Sequence, residues 1–345
     1  MAASPADAET SPFESMEALL VADLPDEPGW SFEPKWDGFR CLAVKQGGTV
    51  RLFAKSGKPL HRFFPEMVAA LAALPAADFI IDGELVIPVG PTLSFDALQA
   101  RLHPAESRIR KLAAETPTLL IVFDLLVDAG RQFAPLPLRD RRAALEHWVR
   151  DNPSPALRLS PTGNLETARD WLRTVGGALD GVVAKRLDEP YRPGERAMRK
   201  VKNIRTADCV VGGFRYGAGS RIVGSLLLGL YDAEGRLDHV GFTSGLGAED
   251  KPALTARLEA LRGEGFTGKA PGGPSRWSTE KTSEYVPLRH ELVVEVTYDH
   301  VTGDRFRHGT GLHRWRPDKS PRQCTYDQLQ LEARPAAIIA ATLTP

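Results

Sequence analysis

The residues best suited to chemistry begin with Glu33-Pro34-Lys35-Trp36-Asp37-Gly38-Phe39-Arg40. A lysine amine is a nucleophile once it has lost its proton, and nearby cations favour that form. The stretch Lys35 to Gly38 suits a hairpin equally well, with Asp37-Gly38 at the turn and Lys35 in water. Six further segments follow in order. Arg51 to Gly57 ends in Lys55-Ser56-Gly57, and Asp82-Gly83-Glu84 lies inside a β-rich run. Phe123-Asp124 ends another such run, and Asp180-Gly181-Val182-Val183-Ala184-Lys185-Arg186 comes next. Arg199-Lys200-Val201-Lys202 and His313 to Lys319 complete the set. Singly, each has an ordinary explanation. Glu84 and Asp180 suit solvated turns, Phe123 suits a core, and Lys200 and Lys202 suit an exposed basic strand.

Together and in this order, the segments resemble the covalent nucleotidyltransferase superfamily, specifically ATP-dependent DNA ligases. The small bacterial ligase C type is the nearest in pattern, over about residues 12–325. The resemblance implies that Lys35 attacks the α-phosphate of ATP, carries AMP as a phosphoramidate, and passes it to a DNA 5′-phosphate. The 3′-hydroxyl then displaces the AMP. It implies Glu33 at the adenine, Phe123 stacked on it, Arg40 at the ribose or a nucleic-acid phosphate, and Glu84 at the ribose or a metal. Lys200 and Lys202 become the cations around the reacting phosphate. Asp180 stands where the family usually has glutamate and is assigned, with Glu84 and Asp318, to Mg²⁺ or Mn²⁺. Arg316, Asp318 and Lys319 are the segment that aligns the leaving pyrophosphate. Two departures stand out. Ala54-Lys55-Ser56-Gly57 replaces the family's Ser-Arg-x-Gly, so Lys55 offers a point charge where arginine would clamp phosphate with two bonds. The tryptophan that usually precedes the Lys200-x-Lys202 pattern is missing. Arg40, Lys55, Arg305 and Arg307 are the candidates for DNA phosphates.

The positioning elements can also be read. From residue 30 to 130 strand signals dominate, notably Phe79–Ile87 and Leu119–Val127. Phe95–Leu112 is predicted helical with a break at Pro104, and Asp140–Arg150 and Glu166–Val175 carry helical spacing. Glu14–Leu20 suits one or two amphipathic turns. Strands are predicted at Gly181–Ala184, Cys209–Phe214, Ser225–Tyr231, Leu237–Thr243 and Glu291–Tyr298, with a helix at Pro252–Arg262 and a loop at Thr267–Ser278. The expected fold class is α+β. A mixed α/β adenylation domain built on antiparallel sheets (13–203) follows a loose tail (1–12). An OB-fold β-barrel (207–325) and a C-terminal extension (326–345) come after it. The resemblance further implies that residues 203–207 are the hinge between two conformations.

Composition fits this. Hydrophobic residues are 42% and charged residues 26%, which excludes wholesale disorder and repeat fibres. Three scattered cysteines make neither a disulfide framework nor a zinc module, which also disfavours an NAD-dependent ligase. No apolar run is long enough to span a membrane, and residues 1–34 lack the Lys or Arg of a secretory signal. The net charge of zero hides eight acids in residues 1–34, leaving 36 acids against 44 bases beyond them. Expected partners are nicked duplex DNA and a repair polymerase–primase or DNA-end-binding protein, for a cytoplasmic, nucleoid-associated monomer. With only about 30 residues before the lysine, DNA would be gripped by two domains and held in a salt-sensitive way. The competing readings are an RNA ligase, a GTP-using capping enzyme, and a nucleic-acid-binding scaffold without turnover.

Overall fold

Runs rich in Val, Ile, Leu and Phe form the central strands, because branched and aromatic side chains pack well on a pleated surface. The computed structural model describes residues 11–90, 92–174, 179–203, 205–247, 249–272, 284–299, 301–302, 304–306, 309–330 and 341–342. The described residues divide into two compact units, 11–203 with 341–342, and 205–330.

The first unit contains β1 (Ala18–Leu20), β2 (Trp30–Lys35), β3 (Phe39–Gln46), β4 (Thr49–Ala54), α1 (Pro65–Ala72), β5 (Phe79–Val86), β6 (Pro88–Val89) and β7 (Thr92–Leu93). It continues through α2 (Phe95–Arg101), α3 (Glu106–Glu115), β8 (Leu119–Asp128), β9 (Arg131–Gln132), α4 (Leu138–Asp151), β10 (Leu157–Leu159), α5 (Leu165–Thr174), β11 (Gly181–Arg186) and β12 (Met198–Lys202). One sheet has the order β1-β12-β11-β2 and the other β10-β8-β5-β3-β4, with β9 added on β8. Most pairs are antiparallel; β1 with β12 and β10 with β8 are parallel. One core lies between the larger sheet and its helices, around Leu52, Phe64, Met67, Leu71, Ile81 and Leu145. A second core, with Phe32, Trp36, Ile121, Trp171 and Val182, joins the two sheets under α5. Ser94 caps α2, its hydroxyl accepting from Ala97 N–H at 3.2 Å, and the predicted break falls between Arg101 and Glu106.

The second unit contains β13 (Arg205–Tyr216), β14 (Val223–Tyr231), β15 (Leu237–Thr243), α6 (Lys251–Glu259), β16 (Val286–Pro287), β17 (Val293–Tyr298), β18 (Val301–Thr302), β19 (Arg305–Phe306), β20 (Gly311–Trp315) and α7 (Asp327–Gln330). Its sheet order is β15-β14-β13-β17-β20. A parallel bridge between Thr243 and Thr310 joins the two outer strands. Thr243 Oγ1 donates to Thr310 O at 2.8 Å beside it. That circuit, with one helix between the third and fourth long strands, is the order of an OB-fold barrel. Leu226, Leu228, Val294 and Val296 fill it.

Three expectations need correction. Glu14–Leu20 is not helical: Ala18–Leu20 extends beside β12, where backbone pairing with a strand 180 residues away overrides local periodicity. The helix at Pro252–Arg262 stops at Glu259, short of Gly263, whose N–H donates to Pro287 O. The strand at Glu291–Tyr298 begins at Val293. The tail at 1–10 and the loop at 273–278 lie outside the described residues.

Candidate active site

Lys35 closes β2, and the register of the small sheet decides what surrounds it. Gly181 of β11 faces Lys35 on one side and Lys202 of β12 on the other; Val183 likewise faces Glu33 and Lys200. Side chains directly opposite share a face, and so do those two apart along a strand. Glu33, Lys35, Lys185, Lys200 and Lys202 therefore project from one face. Gly181 is required in the middle of it. Its φ is +141°, and a Cβ there would lie 2.0 Å from Val201 O.

The hairpin alternative for Lys35-Trp36-Asp37-Gly38 fails, because β2 and β3 belong to different sheets. The segment is a crossing between them. Trp36 is buried and donates from Nε1 to Ser160 Oγ at 3.0 Å, which anchors the crossing. Gly38 lets the chain pass tight against β5: a Cβ would sit 2.1 Å from Leu85 O. Its N–H donates to Glu84 Oε1 at 3.1 Å.

The larger sheet supplies the facing wall. Arg40 and Glu84 are opposite each other on β3 and β5, and Phe123 is the bulged residue of β8 between the Asp82–Asp124 and Gly83–Val122 pairs. A single pocket is lined by Glu33, Lys35, Arg40, Lys55, Glu84, Phe123 and Lys200, together with Lys185 and Met16 to Ala18. Lys202 shares the sheet face with Lys200, and Asp180 meets the lysine itself.

The charges are closely arranged. Lys35 Nζ pairs with Asp180 Oδ2, and Asp180 N–H donates to Lys35 O at 3.0 Å, so the carboxylate is tied to the lysine by backbone as well. Lys185 Nζ lies 2.8 Å from Glu33 Oε1 as an ion pair outside hydrogen-bond angles, and both groups are buried. The same ammonium is 4.6 Å from the centre of the Phe123 ring, and the Arg40 guanidinium is also 4.6 Å from it. Arg40 is held by Nε and Nη2 to the two oxygens of buried Asp82, both at 2.6 Å, while Tyr191 Oη donates to Asp82 at 2.7 Å. That fixes Arg40 as a rigid positive charge in the wall. Lys55 stands at the rim, 2.9 Å from Glu17 Oε1.

Burial pushes the Glu84 carboxyl up to about 7, against the pull of Lys35 and Arg40. Lys200 is lowered by partial burial and then by repulsion from Lys35, Lys55 and Lys202. Among the described residues, no three His, Cys, Asp or Glu side chains form a ready-made metal cage.

The remaining candidates belong to the second unit. Arg316 and Lys319 both donate to Asp208, at 2.8 and 2.7 Å. Asp318 takes Arg316 at 2.9 Å, which holds its carboxyl down at about 2. Arg305 donates to His239 Nδ1 at 2.9 Å. Arg307 lies outside the described residues.

Lys185 was legible in principle, since it continues the alternation of Gly181 and Val183, but it was not singled out. Met16, Glu17 and Tyr191 gave no local signal, because their roles depend on pairings made far along the chain, and Asp82 stood out only as part of the Asp82-Gly83-Glu84 segment, without the role it has in holding Arg40.

Comparison with known proteins bears on what such a pocket does. Residues 9–202 match the family model described as ATP dependent DNA ligase domain, and residues 219–319 match ATP dependent DNA ligase C terminal region. The chain is 44% identical over 337 residues to DNA ligase C2 of Mycolicibacterium smegmatis, covering 92% of this chain and 94% of that protein. It is 40% identical over 353 residues to DNA ligase C of Mycobacterium tuberculosis, covering 97% of each. A solved structure from work on Lig E DNA ligases shares the fold, with a TM-score of 0.52, 18% identity, and coverage of 87% of this chain and all of that one.

Proposed function

The chain belongs to the ATP-dependent DNA ligase family, and from that membership we propose that it joins 3′-hydroxyl and 5′-phosphate ends in nicked duplex DNA through an AMP carried on Lys35. ATP and a divalent cation are the cofactors of this family. The observation that carries the residue assignment is the end of β2, where Lys35 meets Asp180 in a pocket walled by Glu33, Glu84, Phe123 and Lys200.

In the first step Lys35 Nζ attacks the α-phosphorus. The N–P bond forms, the bond to the β-phosphate oxygen breaks, and pyrophosphate leaves with the electron pair. The attacking form is the neutral amine, its ammonium proton lost to water beforehand, and the proton released as the N–P bond forms passes to Asp180, the carboxylate in contact with it. Phe123 takes the adenine face, and the buried Glu33–Lys185 pair presents an acceptor and a donor to the base edge. Arg40 holds a fixed charge toward the ribose, and Glu84 accepts a ribose hydroxyl or a cation. Lys55, Lys200 and Lys202 offset the charge on the phosphates, and Arg316 and Lys319 meet the pyrophosphate. The cation supplies further neutralisation there. Asp180 and Glu84 are hard oxygen donors, and two carboxylates without a cage suit a magnesium or manganese ion that keeps water and phosphate as its other ligands. AMP then moves to the DNA 5′-phosphate, and the 3′-hydroxyl displaces it.

Work in DNA repair, recruitment by a gap-filling polymerase–primase or an end-binding protein, and a cytoplasmic site of action on the nucleoid belong to the same proposal. No helix among the described residues is long and apolar enough to cross a membrane.

The test is covalent labelling. The protein is mixed with Mg²⁺ and ATP labelled at the α-phosphate, denatured and run on a gel, beside GTP, NAD and the Lys35→Ala variant. Label from ATP alone, absent in the variant, is expected, followed by sealing of a nicked duplex. Label from GTP would transfer the assignment to a capping chemistry. Unlabelled protein that is folded and not already adenylated would end it.

A further inference from the structure

Arg316 and Lys319 lie three residues apart after β20, and one acid gathers their heads. Asp208, on β13, is buried at 8% exposure and receives Arg316 Nη1 on Oδ1 and Lys319 Nζ on Oδ2. Its own backbone is fixed: Asp208 N–H donates to Gln328 Oε1 at 2.8 Å, and its carbonyl accepts from Gln328 Nε2 at 3.0 Å. Arg316 N–H donates to Val293 O of β17 at 2.9 Å, which anchors the start of the segment, and Lys319 N–H donates back to Arg316 O at 3.2 Å, which closes the segment into a turn. Two mobile side chains are thereby set a fixed distance apart by one buried carboxylate. Asp318 and Glu295 also approach the guanidinium, at 2.9 and 3.8 Å, yet only Asp208 among the described acids reaches both cations.

We propose that Asp208 is the positioning residue that sets Arg316 and Lys319 as a pair for the pyrophosphate leaving in the first step. This rests on the role given to those two cations above. A long lysine and a long arginine would otherwise have to be ordered each time charge develops on the leaving group. A pair already ordered avoids that cost, and misplacement by about 1 Å lowers such a step by ~10²-fold. Asp208 touches neither nucleotide nor DNA in this role. Its effect is confined to the step in which pyrophosphate forms.

The experiment separates the steps. Asp208→Asn keeps the volume and one acceptor oxygen, but its amide turns a donor toward Lys319. Self-adenylation from ATP is expected to slow by ~10²-fold in this variant. Sealing of a nick supplied already adenylated, which involves no pyrophosphate, is expected to stay within about twofold of wild type, which also shows that the variant is folded at the assay temperature. Asp208→Glu should recover part of the lost rate. Wild-type self-adenylation by Asp208→Asn, faster self-adenylation, or equal loss in both assays would overturn the proposal. Arg316→Ala and Lys319→Ala run alongside. If they too adenylate normally, the assignment of the pair to pyrophosphate fails; if they are slow while Asp208→Asn is not, only the role of Asp208 fails.

Discussion

At the scale of single residues, the site concentrates buried charge that is balanced pair by pair. Glu33 and Lys185 are 3% and 4% exposed, and each is the other's compensation. Removing one partner leaves an unpaired buried ion, which costs about 3–5 kcal/mol, whereas removing both with apolar or neutral groups costs far less. Lys185→Met is therefore expected to destabilise the protein by that amount, and Glu33→Gln with Lys185→Met to restore most of it, as read by denaturant unfolding. The double variant should still bind ATP poorly, since the base edge has lost both groups. Glu84 gives a pH dependence. Its folded value is raised to about 7, from an ordinary 4.5, so the folded protein holds the proton more tightly than the unfolded chain. Stability from this group is full below the ordinary value and is lost as pH rises toward 7, on the order of 3 kcal/mol in total. Melting temperature of wild type should thus fall relative to Glu84→Gln between pH 5 and pH 8. Function runs the other way: the carboxylate that accepts a hydroxyl or a cation is populated above about 7. Self-adenylation at subsaturating ATP should rise through that range, and Glu84→Gln should keep only the part of the rise that comes from deprotonation of the Lys35 amine.

At the scale of elements, the small sheet is what turns a list of segments into a site. Residues 35, 181 and 202 are brought into one row by β2, β11 and β12, and only glycine fits the middle position. Gly181→Ala would force a Cβ against Val201 O in a backbone conformation that L residues rarely adopt. It is expected to cost several kcal/mol, on the order of 3 or more, and to abolish labelling of Lys35 even where protein remains folded. Gly247→Ala, with open space around it, is the matched control and should change neither. The same register explains what could be read beforehand. Lys35, Glu84, Phe123, Lys200 and the arginine–lysine segment were visible because each sits in a short linear pattern tied to one chemistry. Local apolar periodicity gave α4 and α5 nearly residue for residue, and the proline break gave α2 and α3. The roles of Asp82, Tyr191 and Met16 were invisible for a physical reason. Tyr191 bonds an acid 109 residues earlier, and Met16 N–H donates to the tyrosine 175 residues on. Nothing in the neighbouring sequence of any of them encodes that meeting. Glu14–Leu20 was misread for the same reason, because its strand exists only through β12.

At the scale of the whole molecule, the balance of charge is uneven along the chain and unlike in kind. The pocket cations face specific acids: Lys35 with Asp180, Lys185 with Glu33, Lys55 with Glu17. The first two pairs are largely shielded from solvent, where added salt screens little. The surplus of bases over acids beyond residue 34 is another matter, 44 against 36, and it must lie mostly on surface that water and counterions reach. A nicked duplex binds such a surface by releasing condensed cations, so affinity falls steeply as salt rises. The two halves of the reaction should therefore separate by ionic strength. Between 50 and 200 mM salt, KM for nicked DNA is expected to rise by ~10-fold or more, while self-adenylation at saturating ATP changes by about twofold or less. Pre-adenylated protein on a labelled nick, titrated across that range, reads the first quantity; the labelling gel reads the second. A parallel decline of both would mean that the pocket pairs, and not the outer surface, carry the salt dependence, and that the basic surplus has no part in holding DNA.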